Sequence, residues 1–305
     1  MSNLLKIPNA HGRVYFWGDE CSPSDFTKSE IKEFKDGSVT TKTYSKRNDV
    51  VFYNGNCALF KDGSVLTWLE DAGVIPAPKD AEKVVQIASG GQHFIALRDD
   101  GKVICWGAKN TKIQTTVPPN LKDVVAVSAS GCASHALTKD GDVISWGDKR
   151  EIKHPKTLKD ITQIRGAVGL TKSGKVVPWQ VDDGNEICFE PPSKLPKIKT
   201  LIDGPGVITE DGTVRGIGYY AAHLDAGVKG IKKKVKRACI NGGYAELQGA
   251  FLLFQDGTAE YLHLTNDPED ENPAQYVNLK DYKNIIDLGV YRNGHSQGLW
   301  ALIKE

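Results

Sequence analysis

The sharpest concentration of charge in this chain runs from Lys229 to Arg237 and reads Lys-Gly-Ile-Lys-Lys-Lys-Val-Lys-Arg. Lys232, Lys233, Lys234, Lys236 and Arg237 form a basic patch suited to an acidic partner or to a monopartite nuclear-import signal. The plainer account is a solvated loop between structural units, since Val235 already starts a strand. An acidic stretch, Asp267-Pro268-Glu269-Asp270-Glu271-Asn272, reads as an exposed loop. Asp182-Asp183-Gly184-Asn185-Glu186 has the carboxylates for calcium but lacks the twelve-residue ligand order, so no metal is assigned. The chain carries no GxxxxGK[ST] phosphate loop, no GxSxG elbow and no HExxH pair. The reading is therefore non-enzymatic, with no cofactor and no catalytic residue. Cys21, Cys57, Cys105, Cys132, Cys188 and Cys239 include no CxxC pair and read as reduced thiols rather than as a disulfide framework or zinc site. Cys105 is expected inside a buried strand.

Around these residues stands a repeated phrase, Asp-Gly-x-Val-x-x-Trp. It occurs at 62–68, 100–106 and 140–146, with weaker copies at 173–179, 211–214 and 256–259, and another at 11–17. Spacings of roughly 35–50 residues mark one supersecondary unit used again and again. Residues 84–107 show how a unit is built. Val84 to Ala88 is a short β-branched strand, and Ser89-Gly90-Gly91 breaks it. Phe94 to Leu97 is the second strand. Asp100-Gly101 makes a hairpin turn, because glycine accepts the positive φ that the reversal needs. Val103 to Trp106 is the third strand, with Trp106 offering a large apolar surface to the next unit. Residues 114–119 read as a short edge strand ended by proline. No helical period separates the strands, which points to propeller blades.

The ends of the chain complement each other. Residues 299–305 resemble the strand before the glycine turn, and residues 11–18 resemble the strand after it. Joined, they complete one hairpin and remove open sheet edges. The expectation is an all-β, seven-bladed propeller over residues 1–305, with one blade shared by both termini and an insertion at about 19–48. Within the insertion, residues 26–34 read as an extra strand or a short helix, and residues 41–44 as part of an additional hairpin. Insertions of this kind carry function as loops do, so this one is a second-choice partner site.

These residues resemble the regulator of chromosome condensation repeat family, whose unit reads approximately Val-x-x-Ile-Ala-x-Gly-x-x-His-Ser-Leu-Ala-Leu-x-x-Asp-Gly-x-Val-x-x-Trp-Gly. The likeness is strong over 50–180 and weaker beyond, and His93 occupies the family's histidine position. The brief linkers are especially similar to a compact branch, β-lactamase inhibitory protein II. The longer Gly-Gln-Leu-Gly segment usual in the eukaryotic exchange factor is missing. The resemblance implies seven blades and a protein-binding role, whether as scaffold, adaptor or inhibitor. It also implies an alternative, a guanine-nucleotide exchange factor for a Ran-like small GTPase. A weaker alternative is carbohydrate binding, although lectin propellers repeat their pocket residues in every blade and these loops vary.

In the inhibitor branch the partner lies on the Gly-x-x-His loops. Carried over, the partner-binding candidates are Tyr53, Asn56, Gln92, His93, Cys132, Tyr244, Tyr291 and Arg292. Tyrosine and arginine anchors suit such an interface, while a ring of solvated turns is the plainer account. His93 is a contact residue or, more simply, a side chain bonded within its own blade. His135 is displaced by two positions, so the histidines form no ring of metal ligands. The formal charge of +1 gives no electrostatic reason to expect nucleic acid as a partner. No signal peptide or membrane span is read, and the expected setting is cytoplasmic or nuclear, with the protein monomeric on its own.

Overall fold

The computed structural model describes residues 10–18, 24, 26–33, 39–69, 72–152, 158–179, 195–202, 204, 206–217, 221–242, 247–264, 279, 282–293 and 296–305. Three strands come first, β1 (Arg13–Gly18), β2 (Thr27–Glu33) and β3 (Val39–Ser45). A four-stranded sheet follows, made of β4 (Val50–Tyr53), β5 (Cys57–Phe60), β6 (Val65–Leu69) and β7 (Gly73–Val74). The next sheet holds β8 (Val84–Ser89), β9 (His93–Arg98) and β10 (Val103–Gly107), and helix α1 (Lys112–Thr115) leads out of it. Two more triplets follow, β11 (Val124–Ser130) with β12 (Ala133–Thr138) and β13 (Val143–Gly147), then β14 (Ile161–Arg165) with β15 (Val168–Thr171) and β16 (Val176–Pro178). The sixth sheet is β17 (Ile198–Leu201), β18 (Gly206–Thr209) and β19 (Val214–Gly216), followed by helix α2 (Ala221–Val228). The seventh is β20 (Val235–Gly242), β21 (Leu247–Phe254) and β22 (Ala259–His263). The chain ends on β23 (Ile285–Asn293) and β24 (Ser296–Ile303).

These last two strands do not stand alone. They join the first three in a five-stranded sheet of order β2-β3-β1-β24-β23. β1 pairs antiparallel with β24 from Arg13↔Ile303 to Gly18↔Gly298, which sets Phe16 opposite Trp300 and Trp17 opposite Leu299. A side-chain clasp reinforces the seam. Glu305 accepts hydrogen bonds from Arg13 Nε at 2.7 Å and from Tyr15 Oη at 3.0 Å, and Arg13 Nη1 also donates to the Ser45 carbonyl at 2.6 Å.

The repeated phrase has a direct geometric reading. The glycines after the second strands take positive φ, from +80° at Gly63 to +87° at Gly212. In four of the turns the aspartate Oδ1 accepts the backbone N–H two residues on, from Ser64, Lys102, Thr213 and Thr258. This is an Asx turn, and it explains why Asp precedes Gly. In all seven first strands, the pairing slips after the opening residue, at Val50/Phe52, Val84/Gln86, Val124/Ala126, Ile161/Gln163, Ile198/Thr200, Val235/Arg237 and Ile285/Asp287. Each bulge re-aims the third side chain of its strand. The first strands β8 and β11, β11 and β14, β14 and β17, and β20 and β23 lie beside one another, as the inner strands of propeller blades do.

The core lies between sheets. One apolar cluster joins the terminal sheet to β4–β6 through Phe16, Tyr53, Trp68 and Trp300, and the next joins β4–β6 to β8–β10 through Leu59, Phe94 and Trp106. Others follow around the chain, and Phe251 and Leu253 of β21 pack with Leu288, Leu299 and Ala301 of the terminal sheet. Burying one such aromatic contributes about 1.5–3 kcal/mol.

Two expectations need correction. Residues 112–115 form α1 rather than part of an edge strand, because Thr115 and Thr116 hydroxyls bond back to helical carbonyls and Gln114 turns inward. A second helix, α2, does separate strands. Arg215 of β19 holds it by donating to Asp225 at 2.8 Å, and Leu224 and Val228 are buried beneath. The insertion forms a strand hairpin, and β3 extends the terminal sheet by pairing with β1. No helix among the described residues is long and apolar enough to cross a membrane.

Candidate protein-binding surfaces

The sheets present two rims. One carries the Gly-x-x-His loops between first and second strands, and the other carries the Asp-Gly turns. On the first rim the loops are fixed from both sides. Loop carbonyls accept from residues at or just after the third strands: Asn56 from Trp68, Gln92 from Ala108, Cys132 from Asp148 and Ala167 from Trp179. Neighbouring loops are also tied together. Asn54 Nδ2 donates to Ser89 Oγ at 2.9 Å, and Gly91 N–H donates to the Gly131 carbonyl at 2.7 Å. Gly131 has φ +37°, a backbone conformation that favours glycine, and a Cβ there would lie 2.4 Å from Glu151 Oε2 and displace that carboxylate. That Glu151 carboxylate accepts the Cys132 N–H at 2.8 Å.

His93 lies beneath this rim, fully buried. Its Nε2 is 3.0 Å from Ser134 Oγ of the following sheet. Ser134 Oγ donates to the Gln114 carbonyl at 2.9 Å, so Nε2 carries the proton and donates to the serine. The histidine thus bridges two blades instead of bonding within its own. Burial pushes its imidazole down to about 4, only partly offset by the Ala133 backbone, and it is neutral at neutral pH. His135 is buried one sheet further on, between Ser130 Oγ at 3.0 Å and Ser145 Oγ at 2.6 Å.

The carried-over candidates separate accordingly. Tyr53 is 1% exposed, stacked on Phe26 and set edge-on to Phe16 and Trp300. It is a core residue, not an anchor, because the terminal sheet packs over it. Asn56 is half-buried, while Gln92 and Cys132 are exposed. Burial and the Glu151 and Asp148 carboxylates push the Cys132 thiol up, so it is no activated nucleophile. Tyr244 lies outside the described residues, as do residues 182–186 and 267–272. Tyr291 and Arg292 belong to β23, but their side chains lie outside the described residues. A residue that sequence reasoning missed is Ile113. It is 67% exposed on α1, flanked by buried Thr111 and Gln114, and one large aliphatic side chain gives no periodic signal in sequence.

The second rim holds the basic patch. Lys232, Lys233, Lys234 and Lys236 are exposed. Lys233 pairs with Asp256 at 2.9 Å and also donates to Thr258 Oγ1 at 2.9 Å. Arg237 is not part of that solvated cluster. It occupies the re-aimed third position of β20 and donates to Asp287, at the same position of β23, at 2.5 Å. The aspartate side chain is only 12% exposed. Glutamines make comparable bridges elsewhere. Gln86 exchanges hydrogen bonds with the Val127 backbone, and Gln163 donates to the Lys199 carbonyl and accepts from Leu201 N–H. Among the described residues no group of three or more His, Cys, Asp or Glu side chains is placed to hold a metal ion.

Comparison with known proteins agrees with this architecture. Residues 84–114 match the regulator of chromosome condensation (RCC1) repeat. The human regulator of chromosome condensation is 35% identical over 89 residues, a match covering 28% of this chain and 19% of that protein's length. The crystal structure of human WBSCR16 superposes with a TM-score of 0.57 at 14% identity, covering 97% of this chain and all of that one. Saccharomyces cerevisiae Prp20p, a structure described with its binding to Gsp1p and histones, shares 18% identity at a TM-score of 0.39, covering 82% of this chain and 66% of its own. Residues 84–114 thus match a regulator of chromosome condensation repeat and sit in a β-propeller whose other sheets reuse its bulge and, in five of them, its glycine turn.

Proposed function

We propose that this protein is a non-enzymatic propeller that binds another protein through the Gly-x-x-His rim, with Gln92, Ile113 and Cys132 as contact residues. The observation that carries the reading is the presentation of Ile113. Its helix is fixed from below through Ser134 and Gln114, so a large aliphatic side chain is held out to solvent on a rigid base. Preorganisation of this kind lowers the entropic cost of association. The loops beside it are tied blade to blade and present Gln92 and Cys132 without ordering on contact. Affinity capture with wild-type protein and with Ile113→Asp tests the reading. A specific protein lost in the variant supports it, and identical captures overturn it.

The alternative is nucleotide exchange on a Ran-like GTPase. It draws support from the 35% identity shared with the human regulator over 89 residues. Stimulated release of labelled nucleotide from a panel of small GTPases would favour it over a purely adaptor role.

A further inference from the structure

Charge is unevenly spread along the rim of Asp-Gly turns. Around β4–β10 much of the charge on this rim is paired, and Lys61, Lys79 and Lys83 are the exposed lysines left outside ion pairs among the described residues. Arg47 pairs with Asp49 and Asp62, Arg98 with Asp100, and Lys102 with Asp80. Around β14–β23 three acids of the rim are paired while Asp160, Asp211 and Glu260 are in no ion pair among the described residues, and the unpaired bases outnumber them. Glu210 pairs with Lys197, Asp256 with Lys233, and Asp287 with Arg237. Lys172, Lys175, Lys199, Lys232, Lys234 and Lys236 are exposed, and none makes an ion pair among the described residues. Their places on the rim are fixed, because Val235 N–H donates to the Gly212 carbonyl and Gln255 N–H to the Lys234 carbonyl.

Two clefts flank Lys232–Lys234. The larger, of about 520 Å³, lies between the Phe254–Glu260 hairpin and residues 282–284. The smaller, of about 120 Å³, lies between residues 211–214 and 231–235. Each is lined by lysine and by carboxylate, and the larger also by Phe254, Ala259 and Tyr282.

We infer that this sector of the Asp-Gly rim binds an acidic segment of a partner protein, with an aromatic or aliphatic side chain of that segment seated in the larger cleft. The inference rests on the protein-binding reading and adds a second rim to it. Uncompensated lysines attract the segment's carboxylates, with steering that weakens in salt. The carboxylates Asp211, Asp256 and Glu260, which share these clefts, decide the polymer class. A polypeptide brings backbone N–H donors that meet them, whereas a polyphosphate backbone brings only acceptors and is repelled. The Phe254 and Tyr282 walls suit an apolar side chain.

The probe is a short fluorescein-labelled peptide of Glu and Asp with one central Phe, followed by anisotropy. Comparison probes are its Gln and Asn counterpart and a DNA duplex of similar length. The acidic peptide is expected to bind, and to weaken as salt rises. Lys232→Glu with Lys234→Glu is expected to weaken it about tenfold, because each change removes an attractive exposed charge and adds a repulsive one. Lys122→Glu with Lys139→Glu, on the rim of the β11–β13 sheet, is expected to leave it within about twofold. Equal binding of the neutral peptide, tighter binding of DNA, equal loss in both double variants, or no salt dependence in the wild type would each overturn the inference. The salt series needs no variant and so survives a folding defect. If capture depends on Ile113 while no acidic peptide binds, this inference falls and the proposed function stands. If the peptide binds and Ile113→Asp changes nothing, the proposed function falls and this rim alone remains.

Discussion

The two rims are held by different kinds of bond. At the Asp-Gly rim surface ion pairs overlie backbone-to-backbone ties, and one of these backbone ties recurs in every sheet. The residue closing each second strand donates to the carbonyl just before the first: Lys61 to Asp49, Asp99 to Lys83, Lys139 to Asp123, Lys172 to Asp160, Glu210 to Lys197, Gln255 to Lys234 and Lys304 to Asn284. At the Gly-x-x-His rim, side chains tie neighbouring blades together in the sheets of β4–β13, through Asn54 to Ser89 and His93 to Ser134. Backbone ties accept almost any side chain, so that rim is free to vary its surface charge. Side-chain ties demand particular residue types, so the other rim keeps a narrow chemistry and gains rigidity.

The contrast can be broken most severely at the backbone-held rim. Gly63→Val should cost roughly 3 kcal/mol, because φ is +80° and a Cβ would sit 2.8 Å from Lys83 Cα; a thermal or urea melt would show it, and a melt matching wild type would remove the strain argument. At the side-chain-held rim, His93→Leu should cost about 2 kcal/mol, since Ser134 loses its donor inside the core. A variant as stable as wild type would make the bridge ornamental. Between the rims, Arg237→Gln should cost about 1 kcal/mol, a value reduced for the guanidinium's 38% exposure, and Asp287→Asn should add little once Arg237 is gone. Full additivity in that double-mutant cycle would deny the bridge.

Acid offers a finer comparison. The folded His93 takes its proton near 4, below the ordinary 6.5. The unfolded chain therefore binds that proton first as pH falls. The histidine's contribution is present above about 6.5 and is lost between there and about 4, with a slope of at most ~1.4 kcal/mol per pH unit. Urea melts across that window should show a shallower pH dependence in His93→Leu than in wild type. The smallest effect on stability belongs to Ile113→Asp, expected within about 0.5 kcal/mol because the side chain is solvated.

Much of this architecture was legible in the order of residues. Asp-Gly, or Ser-Gly at 173–174, marks a turn because glycine alone takes that φ cheaply and aspartate accepts the amide two residues on, so six hairpins could be placed from composition and spacing. The pairing of β1 with β24 was legible too, since each terminus carries half of a familiar hairpin. The candidate sites were less so. Tyr53 looked like an exposed anchor beside a loop, but burial depends on which sheet covers it, and that sheet comes from both ends of the chain. Arg237 looked like one more charge in a lysine run, yet a one-residue slip in β20 turns it toward Asp287, fifty residues away.

The sequence by itself determined the repeat, its strands and turns, and the meeting of its two ends, because those follow from local backbone preference and apolar periodicity. Only the tertiary structure decided which side chains face solvent and which are paired or buried. Neutralising Arg237, burying His93 and exposing Ile113 are each set by residues far away in the chain, and no local pattern encodes a distant partner.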